Sequence, residues 1–140
     1  MCGIVGIFAK DNIGQLNFSN LRNAVNALHF RGPDSKGIYS DKKIGLGHTR
    51  LSIIDTSNDA KQPFSSPDQR YTLIFNGEIY NYQILRKTLE RKGYSFKTSS
   101  DTEVLLFHLI EFGESGIHDL NGFFGFAFYD KWNGFVFLYD

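Results

Sequence analysis

Cysteine is almost missing from this sequence: Cys2 stands alone among 140 residues. A single thiol rules out an internal disulfide, and with it the disulfide-stapled class of small secreted domains. An excess of either charge is missing too, because 15 Lys and Arg offset 15 Asp and Glu to a formal net charge of zero at pH 7. Nucleic acid and anionic membrane surfaces both select a positive field, so neither is expected as the main partner. No stretch approaches the ~18 consecutive apolar residues of a membrane-spanning helix. The start, Met1 to Ala9, is apolar but lacks the basic leader and hydrophobic region of a secretory signal. These absences lead to the expectation of a cytoplasmic protein. His29, His48, His108 and His118 are scattered and one cysteine gives no metal-ligand spacing, so no metal site is expected. A Walker-type phosphate loop, internal repeats and linkers are missing as well.

What is abundant is aromatic. The chain holds 14 Phe and 7 Tyr, which points to a Phe-rich core and a surface that meets another domain. Ile4 to Phe8 reads as a buried strand, because it is a short apolar run rich in β-branched residues. Leu21, Val25 and Leu28 recur at helical spacing and predict a helix near 19–29, ended by the turn signal Arg31-Gly32-Pro33-Asp34. Ile44, Leu46 and His48 alternate with Gly45 and Gly47, as in a strand closely approached by another layer. Residues 55–69 read as a loop and Tyr71 to Phe75 as a strand. Tyr82, Leu85 and Leu89 mark a helix closed by Gly93. Ser100-Asp101-Thr102-Glu103 is a capping-box pattern opening a helix that Gly113 closes. Phe123–Tyr129 and Phe135–Tyr139 are strands, with Asn133-Gly134 as the hairpin signal between them. The result is an α+β fold with helices covering sheet faces. The last strand is apolar on both faces. The expectation is therefore a domain incomplete at its C-terminal end, with an open edge that invites a partner or a second copy as a homo-oligomer.

Cys2 sits one position from the start. If Met1 is removed, this residue carries both a thiol and a free α-amine. An amine with a reference pKa of about 7.7–8.0 can serve as the base that a thiol nucleophile needs. The plainer reading is a small buried hydrophobe, which is what most lone cysteines are.

Several blocks weigh against that plainer reading. Met1-Cys2-Gly3-Ile4-Val5-Gly6, Arg31 to Gly37, Gly47 to Asp55, Phe75 to Asn81, Ser100 to Glu103 and Phe124 to Phe128 occur in one order along almost the whole chain. In that order they resemble the N-terminal-nucleophile (class II) glutamine amidotransferases. Pro33, Leu51-Ser52-Ile53-Ile54 and Glu78-Ile79-Tyr80-Asn81 are similar to the glutaminase domain of asparagine synthetases and their relatives. The resemblance implies a four-layer α/β/β/α sandwich of antiparallel sheets.

It also implies roles. Cys2 would attack the glutamine side-chain carbonyl, and the Asn76 amide with the Gly77 N–H would hold the oxyanion. Standing alone, Asn76-Gly77 reads better as a tight turn after a strand. Arg50 would take the glutamine α-carboxylate, Asp101 and Glu78 its ammonium, with backbone contacts from Leu51, Ile53 and Ile54. His48, flanked by Gly47 and Thr49, reads as hydrogen-bonded packing rather than as a base. No cofactor is expected in this chain. ATP and Mg would belong to a synthetase domain, absent here, that amidates aspartate with the released ammonia. Two alternatives stay open: a relative that amidates a sugar or a peptide, and a non-catalytic domain that retains Met1.

Overall fold

The computed structural model describes residues 2–51 and 61–140. In chain order the elements are β1 (Gly3–Phe8), α1 (Asn12–Leu16), α2 (Leu21–Ala27), β2 (Ser35–Ser40), β3 (Ile44–Arg50), β4 (Phe64–Ser65), β5 (Tyr71–Ile79), α3 (Tyr82–Arg91), α4 (Asp101–Phe112), β6 (Gly122–Asp130) and β7 (Phe135–Tyr139). They build two antiparallel sheets, ordered β1-β3-β2 and β4-β5-β6-β7. Among the described residues no helix is long and apolar enough to cross a membrane.

Side-chain alternation along the strands sorts the core into layers. On β3, Ile44 and Leu46 face the second sheet and pack with Ile74, Ala127 and Tyr129. Gly45 and Gly47 face the other way, toward α2. A Cβ on Gly45 would lie 2.9 Å from Leu21, and one on Gly47 would overlap Val25. The two glycines thus let α2 lie close against the sheet, where Leu21 and Val25 are buried. On the far face of the second sheet, Leu73, Phe75, Ile79, Phe126 and Phe128 pack against Leu85 and Leu89 of α3 and Leu105, Leu106 and Leu109 of α4. Each such leucine contributes roughly 1.5–3 kcal/mol relative to exposure. Helix, sheet, sheet and helix make four layers, as the resemblance implied.

Several expectations need correction. The N-terminal strand is not buried but lies at a sheet edge, with Phe8 47% exposed. A short apolar run cannot distinguish one covered face from two. The expected 19–29 helix is shorter, flanked by 3-10 turns at Asn17–Asn20 and His29–Arg31. α1 and β2 were not foreseen, and the strand expected to stop at Phe75 runs on to Ile79. Within the expected 55–69 loop, Phe64–Ser65 is a short strand.

The capping box holds in part. Ser100 Oγ accepts from Glu103 N–H at 3.2 Å. The Glu103 carboxylate reaches instead to the N–H groups of Lys97 and Thr98 and the Thr98 hydroxyl. The β6–β7 hairpin is present, but its turn spans Lys131–Gly134, and Asp130 accepts from the Trp132 and Asn133 N–H groups. β7 is an edge strand, leaving Phe135, Leu138 and Tyr139 exposed.

Candidate active site

Alternation carries the polar residues to one end of the inter-sheet layer. Ile4 packs into that layer, so Cys2, two residues earlier, points the same way. Ile44 and Leu46 continue to His48 and Arg50, and Ile74 continues to Asn76 and Glu78. Strand pairing sets Gly3 against Thr49, so the next pair is Cys2 with Arg50. The Leu51 N–H, beyond Arg50, donates to Cys2 Sγ at 3.3 Å, and the thiol meets the Leu51 carbonyl at 3.7 Å.

The segment that read as a turn has a more specific task. Gly32 lies flat on β3, where a Cβ would overlap the Thr49 carbonyl and lie 2.5 Å from Arg50 N. Pro33 bridges to Arg50, and Asp34 N–H donates to the Arg50 carbonyl at 3.0 Å. With the chain so placed, Arg31 Nε donates to the Cys2 carbonyl at 3.2 Å. Arg31 was missed as a site residue. Its sequence signals were a place in a turn motif and in the Arg31–Gly37 block, and neither says where the side chain reaches.

Asn76-Gly77 is no turn. β5 passes through both residues in register with β6, Asn76 opposite Gly125 and Gly77 opposite Phe124. Gly77 has φ +151°, and a Cβ there would overlap the Phe123 carbonyl and lie 2.6 Å from Phe124 Cα. Only glycine fits that approach. Two residues on, the Ile79 N–H points away from β6 and donates to Asp101 Oδ2 at 3.2 Å. By the period of two, the Gly77 N–H points to the same open side, and no described side chain accepts from it. The Asn76 Oδ1 is buried and, among the described residues, has no hydrogen-bond partner. Buried polar atoms are normally satisfied, so this unpaired acceptor marks a place for a donor from outside the described residues, and Nδ2 is the atom of the same amide that can donate.

Asp101, first residue of α4, is buried. Burial pushes its carboxyl above the ordinary range, with the charge of Glu78 adding, while the Ile79 N–H partly offsets this. Arg50 is buried, and Glu78 is exposed at the rim. Cys2, Arg50, Leu51, Asn76, Gly77 and Glu78 are therefore gathered at one end, with Asp101 joined to it through β5. Ile53 and Ile54 lie outside the described residues.

His48 is buried in the same layer, and burial lowers its pKa to about 4, opposed by a backbone hydrogen bond with Phe75. The imidazole is neutral at pH 7, in keeping with a packing role. Its folded pKa lies below the unfolded value of about 6.5, so the unfolded chain binds the proton first. This contribution to stability is fully present above pH 6.5 and falls by about 3 kcal/mol as pH drops toward 4. Denaturant unfolding across pH 4–7 should show that slope, and His48→Gln should remove it.

A family described as a glutamine amidotransferase domain matches residues 1–139. Asparagine synthetase [glutamine-hydrolyzing] 1 of Bacillus subtilis (strain 168) is 45% identical over 133 residues, covering 94% of this chain and 21% of that protein. Asparagine synthetase B [glutamine-hydrolyzing] of Escherichia coli (strain K12) is 40% identical over 132 residues, covering 94% and 23%. The chain thus spans about a fifth of the length of these relatives. Among solved structures, glutamine phosphoribosylpyrophosphate amidotransferase from B. subtilis, complexed with ADP and GMP, superposes with a TM-score of 0.70 at 23% identity, over 94% of this chain and 35% of that one. That likeness is one of fold, and it agrees with the four layers seen here. With a family match over nearly every residue, this chain belongs to the glutamine amidotransferase domain family.

Proposed function

We propose that this domain hydrolyses glutamine to glutamate and ammonia with Cys2 as nucleophile. The observation that carries the reading is the convergence, at one end of the inter-sheet layer, of the N-terminal thiol with the Asn76 side-chain amide and the Gly77 N–H. With Met1 removed, the Cys2 α-amine takes the thiol proton. The sulfur attacks the side-chain carbonyl carbon of glutamine, and the carbonyl oxygen becomes an oxyanion between the Asn76 amide and the Gly77 N–H. The carbon–nitrogen bond breaks, ammonia leaves with the transferred proton, and a thioester remains. Water cleaves the thioester to glutamate and restores the thiol. Arg31 holds the Cys2 carbonyl and so fixes the nucleophile's backbone.

Arg50 takes the substrate α-carboxylate in two-pronged fashion, and Asp101 with Glu78 takes the ammonium. By the family resemblance, backbone contacts to the substrate come also from Leu51, Ile53 and Ile54. The ammonia passes to a synthetase half outside this chain, which amidates aspartate with ATP and Mg. The names and identities of the B. subtilis and E. coli relatives support that acceptor. No step proposed for this chain calls on a cofactor.

Intact mass tests the reading first. The active protein should have lost one methionine, and a glutamine-like electrophile should add once, at Cys2. A Met-retaining chain that still turned over glutamine would refute the α-amine as base.

A further inference from the structure

The two strands that would flank the Asn76-Gly77 donors are unequal. β6 pairs with β5 along its whole length, but β4 pairs only through Phe64 opposite Leu73 and Ser65 opposite Thr72. Carried two residues further, that register would set Gln62 against Phe75. The Gln62 backbone has left the sheet there: its carbonyl lies so close to β2 that a Cβ on Gly37 would overlap it. The Phe75 N–H is left facing an interior edge where no strand of the described residues lies beside it. Gln62 fills the gap with its side chain. Its Oε1 accepts from Phe75 N–H at 2.6 Å, and its Nε2 donates to Thr102 Oγ1 at 3.3 Å.

Thr102 follows Asp101, whose carboxylate holds the Ile79 N–H on the same edge. Two side-chain acceptors thus secure the edge at residues 75 and 79, and α4 links them. Gly77 lies midway between them, with its N–H aimed the same way. A glutamine suits the first position because it must accept from a backbone N–H and donate to a hydroxyl while buried, at 8% exposure.

From this arrangement we infer that Gln62 is a positioning residue for the oxyanion hole: its amide stands in for the missing strand partner and fixes the Asn76-Gly77 backbone from one side as Asp101 does from the other. The inference rests on the oxyanion reading of Asn76 and Gly77. Donors displaced by a fraction of an ångström lose transition-state contact before they affect ground-state binding.

Gln62→Met keeps length and volume but leaves the Phe75 N–H unpaired, and Gln62→Glu keeps the acceptor. In the full-length protein, Gln62→Met should lower kcat for glutamine hydrolysis by about 10–100-fold with KM within about two-fold of the parent. Gln62→Glu should recover most of that loss. Combining Gln62→Met with Asn76→Ala should cost clearly less than the product of the two separate losses, because both act on one oxyanion site. An unchanged kcat in Gln62→Met, losses that multiply in the double variant, or an effect confined to KM would each overturn the proposal and leave the oxyanion reading intact. An Asn76→Ala protein as fast as the parent would remove the oxyanion reading, and the Gln62 proposal with it. If Gln62→Met does not fold, Gln62→Glu decides: a rate near the parent's supports the role of the acceptor, and a rate lowered 10-fold or more overturns it.

Discussion

Replacing Cys2 with alanine is expected to reduce glutamine hydrolysis by on the order of 10⁴-fold or more, while amidation driven by added ammonia in the full-length protein continues at the parental rate. Loss of a nucleophile in a covalent mechanism removes the whole pathway, and only binding and oxyanion contacts then act on water. Cys2 is the chain's single thiol, so no neighbour can take over. The protein should still fold. Cys2 is partly exposed at the foot of an edge strand, and the polar contacts of its thiol are to the Leu51 backbone. Glutamate release and ammonia-driven product formation, measured on one preparation, make the test. A Cys2→Ala protein that released glutamate at the parental rate would show that the nucleophile lies elsewhere.

Asn76→Ala should cost ~10²–10³ in kcat, or about 3–4 kcal/mol, with little change in KM. The amide contact strengthens only as the carbonyl oxygen gains charge, so its loss is felt in the transition state. Arg50→Ala should behave in the opposite way. A guanidinium on the substrate carboxylate is engaged equally in ground and transition states, so KM rises while kcat holds. Steady-state kinetics on the two proteins separate these roles. If both substitutions raised KM alone, Asn76 would be a binding residue and the oxyanion would need another donor.

Much of this arrangement could be read from the sequence, for identifiable reasons. Period-two and period-3.6 patterns gave most strands and the two longer helices, because burial is repeated along each element. Gly45 and Gly47 pointed to the close approach of another layer, which is α2. Ordered motif blocks pointed to the proposed nucleophile and its proposed partners. What could not be read depended on how elements meet. Whether β1 has one covered face or two depends on a neighbour 40 residues away. Asn76-Gly77 looked like a turn because the dipeptide is usually one, yet here the glycine admits β6 rather than reversing the chain. β2 escaped notice because Ser35-Lys36-Gly37-Ile38-Tyr39-Ser40 has few apolar residues to repeat. Arg31 and Gln62 escaped because a side chain's reach across a fold leaves no local periodicity.

The pairing order also has a consequence for synthesis. β1 joins β3, some 40 residues later, and β5 joins β6 across a gap of similar size. Contacts so distant along the chain must wait for loop closure, which is slow compared with local helix formation. On a ribosome, β1, β3 and β5 all emerge well before β6 (Gly122–Asp130), the strand that supports Asn76 and Gly77. Until β6 has paired with β5, the backbone around Asn76 and Gly77 lacks the strand that supports it, and the proposed site is one of the last features of the domain to form.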